Sequence, residues 1–342
     1  MNRIQKRILG FVVGISSLVL VLSGCGNTSQ LSQTEAEVNK FHMGLVSWVG
    51  YGPLYLAQEK GFIKKQGIEL ELSTFEDVSQ RRVAMIKGDL DGYVDTVDSM
   101  IIARDQGVPG TAVMQIDVSN GADAIIATAD IQSISDLKGK KIAAQKNFVP
   151  ESLLNFLLIQ NGMKPDDVEI IDADGGSAGA AFVSGNVDVA VTFEPWVSQA
   201  KEREGGHVLA SSADVYGAIV DVLLIQEKYL TEHPEVVQGI MNAWFEALAY
   251  IEKNPEESYE IMAKHYGMPA DEFMAIIADG VEWPSYEKNV EYFASDKNSS
   301  VYEVIDTFRN VLIETDTISP NVNLEGLIDA RLLENLYDKL YC

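Results

Sequence analysis

Cysteine is nearly absent: the 342 residues contain two, Cys25 and Cys342. That excludes a disulfide framework and a cysteine metal motif. Histidine is almost as sparse, and His42, His207, His233 and His265 are scattered without the spacing of a metal site. Basic residues are few, with 26 Lys and Arg against 51 Asp and Glu, a formal net charge of −25. A nucleic-acid binder needs a basic face, and so does a protein drawn to an anionic membrane by charge. No Walker-type phosphate loop is present, and the Gly-Gly pairs at 175–176 and 205–206 read as turns. No Ser/His/Asp arrangement is recognisable from spacing. The residues therefore nominate no catalytic group, no metal site and no cofactor.

What is present is a chain long enough for a sizeable core, 46% hydrophobic and 23% charged, which predicts two domains or lobes. At the N-terminus Arg3, Lys6 and Arg7 precede an apolar run, Ile8–Leu22, too short for a comfortable membrane span. Leu22-Ser23-Gly24-Cys25 follows and resembles a bacterial lipobox. That resemblance implies that residues 1–24 are a lipoprotein signal peptide and that Cys25 is lipidated and anchored to a membrane. A Sec signal cleaved elsewhere, or a short uncleaved anchor, is the alternative. The polar stretch to Lys40 reads as a flexible tether over 25–40, with the folded part starting near Phe41.

The chain then alternates strand and helix. Met43–Val46 is a short apolar strand, and Trp48-Val49-Gly50-Tyr51-Gly52 is a loop. Pro53 opens a helix, where its fixed φ is tolerated. A strand feeding a helix through an aromatic-glycine loop is where open α/β sheets bind small ligands. An ordinary connection with Trp48 and Tyr51 in the core is the alternative. Strands at Ile68–Ser73, Gly92–Val94, Thr111–Ile116 and Ala124–Ala127 alternate with helices at Val78–Lys87 and Val97–Asp105. A second block places strands at Lys141–Ala144, Val168–Asp172, Val187–Thr192, Val208–Ala210 and Ile219–Ile225. The order is that of mostly parallel sheets flanked by helices. Val83–Thr96 (VAMIKGDLDGYVDT) and Ala180–Thr192 (AAFVSGNVDVAVT) echo each other. Either two lobes share one plan, or short βα units look alike. From Lys228 the texture is helical, no strand is obvious after Ile225, and the tail is expected to pack on the first lobe. The chain would cross between lobes near Gly121–Ala124 and near Ile219–Val222.

The lipobox, GYGPLYLAQEKGFIKKQGIELEL, IKGDLDG, SDLKGKKIA, SGNVDVAVTFEPW and the helical tail resemble solute-binding proteins of ABC importers. The group is the one for nitrate, sulfonate, taurine and bicarbonate, which also includes binders of thiamine-pyrimidine precursors. The resemblance runs from about Phe41 to the end. It implies an α/β, two-lobed periplasmic-binding-protein fold (type II) with a two-strand hinge. One lobe would be 41–123 plus 222–342, the other 124–221. It also implies a monomer that holds a small-molecule solute between the lobes and delivers it to a permease and its ATPase, with no nucleic-acid partner. Carried over residue by residue, the lining would be Trp48, Gly50 and Tyr51; Asp95 and Thr96; Ser119 and Asn120; Asn147 and Phe148; Glu194 and Trp196; and Asp221.

An anion site needs backbone N–H groups, hydroxyls or arginine. The candidate loops instead carry Asp95, Asp98, Glu194 and Asp221, with Glu76 and Asp77 nearby, and Lys146 is their one basic residue. The family points to a sulfonate or taurine-like solute. Converging carboxylates, with Trp48, Tyr51, Phe148 or Trp196 stacking, would favour an aminopyrimidine of the thiamine-precursor type. The acids could equally be helix caps, and Asp221 a hinge hydrogen bond. A sensor using the same cleft is a further reading. A related fold serves as a pyrimidine-precursor synthase with a cysteine-rich motif. This chain has no cysteine between Cys25 and Cys342, which counts against that enzyme.

Overall fold

Eleven strands form two separate sheets in the computed structural model, which describes residues 39–294 and 300–340. The lipobox with Cys25 and nearly all of the tether lie outside the described residues. In chain order the strands are β1 (Asn39–Leu45), β2 (Ile68–Thr74), β3 (Gly92–Thr96), β4 (Thr111–Ser119), β5 (Asp123–Ala127), β6 (Lys141–Ala144), β7 (Glu169–Asp172), β8 (Val189–Phe193), β9 (His207–Ser211), β10 (Val220–Ile225) and β11 (Val281–Glu282). The first sheet has the order β11-β4-β10-β3-β1-β2 and the second β7-β6-β8-β5-β9. Strand β1 begins at Asn39, four residues before the strand expected at Met43–Val46 and two before the expected start of the folded part, because Asn39 and Lys40 already pair with Ile68 and Glu69.

The sheets share one plan, which decides the alternative left open by the sequence echo. In the first, β1 pairs in parallel with β2 and β3, and β10 joins β3 antiparallel. In the second, β6 pairs in parallel with β7 and β8, and β5 joins β8 antiparallel. The two echoing segments end on β3 and β8, which hold equivalent places. The chain passes from the first sheet to the second between β4 and β5 and returns between β9 and β10. In each sheet the antiparallel neighbour of the parallel trio is the strand that has just arrived from the other sheet.

Among the described residues the elements after β10 are helices except for β11, a two-residue strand that the sequence reading missed. It pairs Val281 and Glu282 with Ser119 and Val118. Two residues are too few for a period-2 signal. The helix Pro234–Lys253 buries Val237, Ile240, Met241 and Trp244 on one stripe. Its Gly239 lies where a Cβ would stand 2.7 Å from Ile68, so the helix packs closely on β2. Among the described residues no helix is long and apolar enough to cross a membrane.

Strand β3 carries a buried ion pair. Asp95 is enclosed with Arg81, whose Nη2 is 2.8 Å from Asp95 Oδ1, both side chains fully buried. Arg81 also donates to the Val94 carbonyl at 2.8 Å. A buried pair of this kind is weak evidence of net stabilisation, but removing one partner strands the other charge. Asp95→Ala is expected to lower unfolding free energy by about 3–5 kcal/mol, read from urea unfolding. An unchanged midpoint would show that Arg81 finds another partner.

Candidate functional site

The carboxyl ends of β1 and β3 point toward the second sheet, and a cleft lies between them. It is lined from the first sheet by Val46, Trp48, Tyr51, Thr96 and Asp221, and from the second by Asp123, Phe148, Val149 and Phe193, with Ile219 at the return crossover. In this state it leaves about 20 Å³ of free space, room for about one water.

Its floor is a row of acids on the crossover strands. Asp221 on β10 stands opposite Asp117 on β4 and opposite Thr96 on β3. The Trp48 indole Nε1 donates to both Asp117 oxygens at 3.2 and 3.0 Å, and the Tyr51 hydroxyl donates to Asp221 Oδ1 at 2.6 Å. The loop delivering these donors is held by the tail: Tyr266 donates to the Trp48 carbonyl at 2.7 Å and Trp283 to the Gly50 carbonyl at 2.8 Å. A Cβ on Gly50 would stand 2.3 Å from both Asp117 Oδ2 and Trp48 Nε1. Gly50 therefore serves the site by leaving room for that hydrogen bond.

Burial raises the carboxyls of Asp117 and Asp221, and the charge of Asp117 raises Asp221 further. Burial pushes Asp123 up to about 7, with the charges of Asp98 and Glu194 adding to it. Asp98 is raised too, chiefly by burial. The hydroxyls of Ser152 and Thr96 offset part of this, yet neither reaches hydrogen-bond geometry with its carboxylate. Thr96 Oγ1 is likewise buried without a partner. Among the described residues no Lys or Arg lines the cleft. Among the described residues no three His, Cys, Asp or Glu side chains are arranged to hold a metal ion.

Of the residues carried over from the family, the structure brings Trp48, Tyr51, Thr96, Phe148 and Asp221 together in the cleft. The others stand apart from the lining. Asp95 is taken by Arg81. Ser119 is engaged at the crossover, where its Oγ accepts from the Asp123 N–H and lies 2.8 Å from Ser212 Oγ. Asn120 is exposed, its N–H bound to the Gly280 carbonyl. Asn147 is exposed at φ 56°, its N–H bound to Glu151 and its carbonyl accepting from Arg82 Nη2 at 3.0 Å. Glu194 caps its helix, accepting from the Ser198 N–H at 3.0 Å and hydroxyl at 2.9 Å. Trp196 packs on Gly179, where a Cβ would stand 2.5 Å from its ring. Asp123, Phe193 and, behind the indole, Asp117 were missed by sequence reasoning. The available signal was an acid at each end of the crossover, in strands otherwise apolar.

A family model described as NMT1/THI5 like matches residues 48–258, more than half of the chain. The chain belongs to the NMT1/THI5-like family. A relative in Brucella abortus named as a binding protein is 30% identical over 213 residues, 61% of this chain and 66% of its own length. The riboflavin-binding protein RibY of Chloroflexus aurantiacus is 28% identical over 228 residues, 64% of each chain. The chain thus spans just under two thirds of these curated relatives. Among solved structures, the alkanesulfonate-binding protein SsuA of Xanthomonas axonopodis pv. citri, bound to MOPS, superposes with a TM-score of 0.72 at 19% identity, covering 86% of this chain and 99% of that one. The fold of this NMT1/THI5-like chain is the periplasmic-binding-protein fold.

The raised acids make stability fall with pH. An unfolded aspartate titrates near 3.8, and Asp123 in the folded protein near 7. Between those values the folded protein keeps a proton that the unfolded chain has released. Raising pH through that window removes stability, and Asp117 and Asp221 act in the same sense. His265, lowered by partial burial, opposes them from an exposed position. The urea midpoint of the solute-free protein is expected to be higher at about pH 5.5 than at about pH 8. A midpoint that rises with pH would mean the acids are ionised and held by partners.

Proposed function

We propose that the protein is the extracytoplasmic solute-binding component of an ABC importer. It is anchored through Cys25 and binds a small flat organic solute bearing amine, amidine or aminopyrimidine donors. The observation that carries the solute class is the cleft lining: buried carboxyls at Asp123 and Asp221, with Asp117 behind them, and aromatic walls of Trp48, Tyr51, Phe148 and Phe193. A cationic or donor-rich ring stacked there gives each carboxylate a partner, and the rings supply cation–π attraction. A sulfonate or taurine-like acid, the other solute weighed from the sequence, would meet these carboxyls with no lining cation. The start of the helix Val149–Gln160 offers an anion little, since Pro150 has no N–H and Glu151 already occupies the first turn. The names of the relatives support binding rather than covalent chemistry, and they span several solutes.

Entry requires the walls to part, because the cleft holds room for about one water. The moving bodies in this reading are the two lobes expected from the sequence, 41–123 with 222–342 and 124–221, with the edges shifted so that Asp123 moves with β5 in the second sheet and Asp221 with β10 in the first. They turn about the β4–β5 and β9–β10 connections, and the closed form is handed to the permease and its ATPase. Opening would break two front contacts, Arg82 Nη2 to the Asn147 carbonyl at 3.0 Å and Gln145 Nε2 to the Glu76 carbonyl at 3.2 Å. Hinge closure confines its backbone change to a few residues, which suits two short connections.

A thermal-shift screen of the full chain against aminopyrimidines, thiamine, polyamines, taurine, sulfonates and nitrate tests the solute class. A hit on an amine or pyrimidine supports it, and a hit on plain sulfonate or nitrate alone refutes it. With the cationic hit in hand, Asp123→Asn is expected to weaken binding by about 1.5–3 kcal/mol, and Glu194→Gln by less, by calorimetry. Binding should tighten from about pH 6 to about pH 8 and release protons, since the cation selects ionised acids. Proton uptake on binding would contradict the assignment.

A further inference from the structure

A second cavity lies behind the crossover strands and belongs to no part of the cleft. It has a volume of about 850 Å³, within the range of small-molecule sites. Its position follows from the pleat. Asp117 and Asp221 turn toward the cleft, and their neighbours Val118 and Val220, paired with each other, line this cavity on the opposite face. The walls come from both sides of the crossover. Phe156 and Gln160 belong to the helix that caps the second sheet, while Tyr292 and Phe308 come from the tail helices on the first. Phe156 and Phe308 meet across it at 5.8 Å between ring centres. Tyr216, in the loop before β10, donates to Glu282 of β11 at 2.8 Å across the mouth.

The chemistry of the lining is one-sided. Among the described residues, Asp214, Glu282, Glu291 and Glu303 line it with one basic residue, Lys288, which is paired with Glu282. Aromatic rings make up much of the apolar wall, and the buried hydroxyl of Tyr292 finds no hydrogen-bond partner. Aromatic walls with excess carboxylate attract an organic ammonium ion, by cation–π contact with the rings and charge attraction to the acids. We propose that this cavity is a second binding site, for an organic cation with an aromatic or aliphatic body. The proposal does not rest on which solute the cleft binds.

Benzyltrimethylammonium is a suitable probe, with benzenesulfonate as an anion of similar size. Calorimetric titration of the full chain should show saturable binding of the cation and weaker binding of the anion. Thr307→Trp, an exposed lining position, fills the cavity and should abolish the cation's binding there. Glu291→Gln, also exposed, should weaken it about threefold. Thr96→Val, in the cleft, should leave it within about twofold. Undiminished binding in Thr307→Trp, loss of binding in Thr96→Val, or equal affinity for benzenesulfonate would each overturn the proposal. Because the readout is binding behind the strands, it can fail while the cleft assignment stands, and the reverse.

Discussion

Burying several carboxyl groups on strands that join two sheets is the constraint on which the rest of this structure depends. An isolated buried carboxylate is so costly that it takes up a proton or finds donors. Here the donors come from a loop far away in sequence. Trp48 reaches Asp117 and Tyr51 reaches Asp221. The first depends on Gly50 being without a side chain, and the loop depends in turn on Tyr266 and Trp283 from the tail. The aromatic loop, the crossover strands and the C-terminal helices are thus one arrangement. Disturbing any of them exposes the same electrostatic cost.

The acids of this region divide by whether the protein satisfies them. Arg81 satisfies Asp95, and Ser198 satisfies Glu194. Trp48 and Tyr51 satisfy Asp117 and Asp221 in part. Asp98 and Thr96 keep buried polar atoms without partners. A group in the last class has most to gain from a ligand, since its desolvation is already incurred and its hydrogen bond is not yet made. Asp98 does not line the cleft, however, so the solute reading rests on the acids that do, Asp123 and Asp221, and not on a count of acids in the sequence.

Much of the fold was legible because apolar runs and turn glycines carry it. The strands from β1 to β10 were each located, and the echo of Val83–Thr96 in Ala180–Thr192 marked two sheets of one plan. Strand β11 was too short to show. The site was less legible, for a physical reason. Sequence places Asp95 and Glu194 at strand ends, where a ligand sits, but does not show that Arg81 or Ser198 arrives first. Asp123 begins a strand that is otherwise apolar, and nothing local tells a buried acid from an edge one. The loop Trp48–Tyr51 was visible, because aromatics flanking glycine at a strand-to-helix turn are unusual for a plain connection. Its target, Asp117, was not, since that contact spans 69 residues.

The same pleat that aims Asp117 and Asp221 at the cleft aims Val118 and Val220 away from it. A two-strand connection between sheets therefore has two working faces, and a change on one is felt through a single backbone. If the sheets rock about these strands, separating the walls in front brings the walls behind together. A molecule lodged behind would then favour whichever cleft width gives it most contact, and the cleft's solute would favour its own. Linkage requires that the two preferences act on each other with equal free energy. Nothing more than packed walls and one shared ribbon is needed for this.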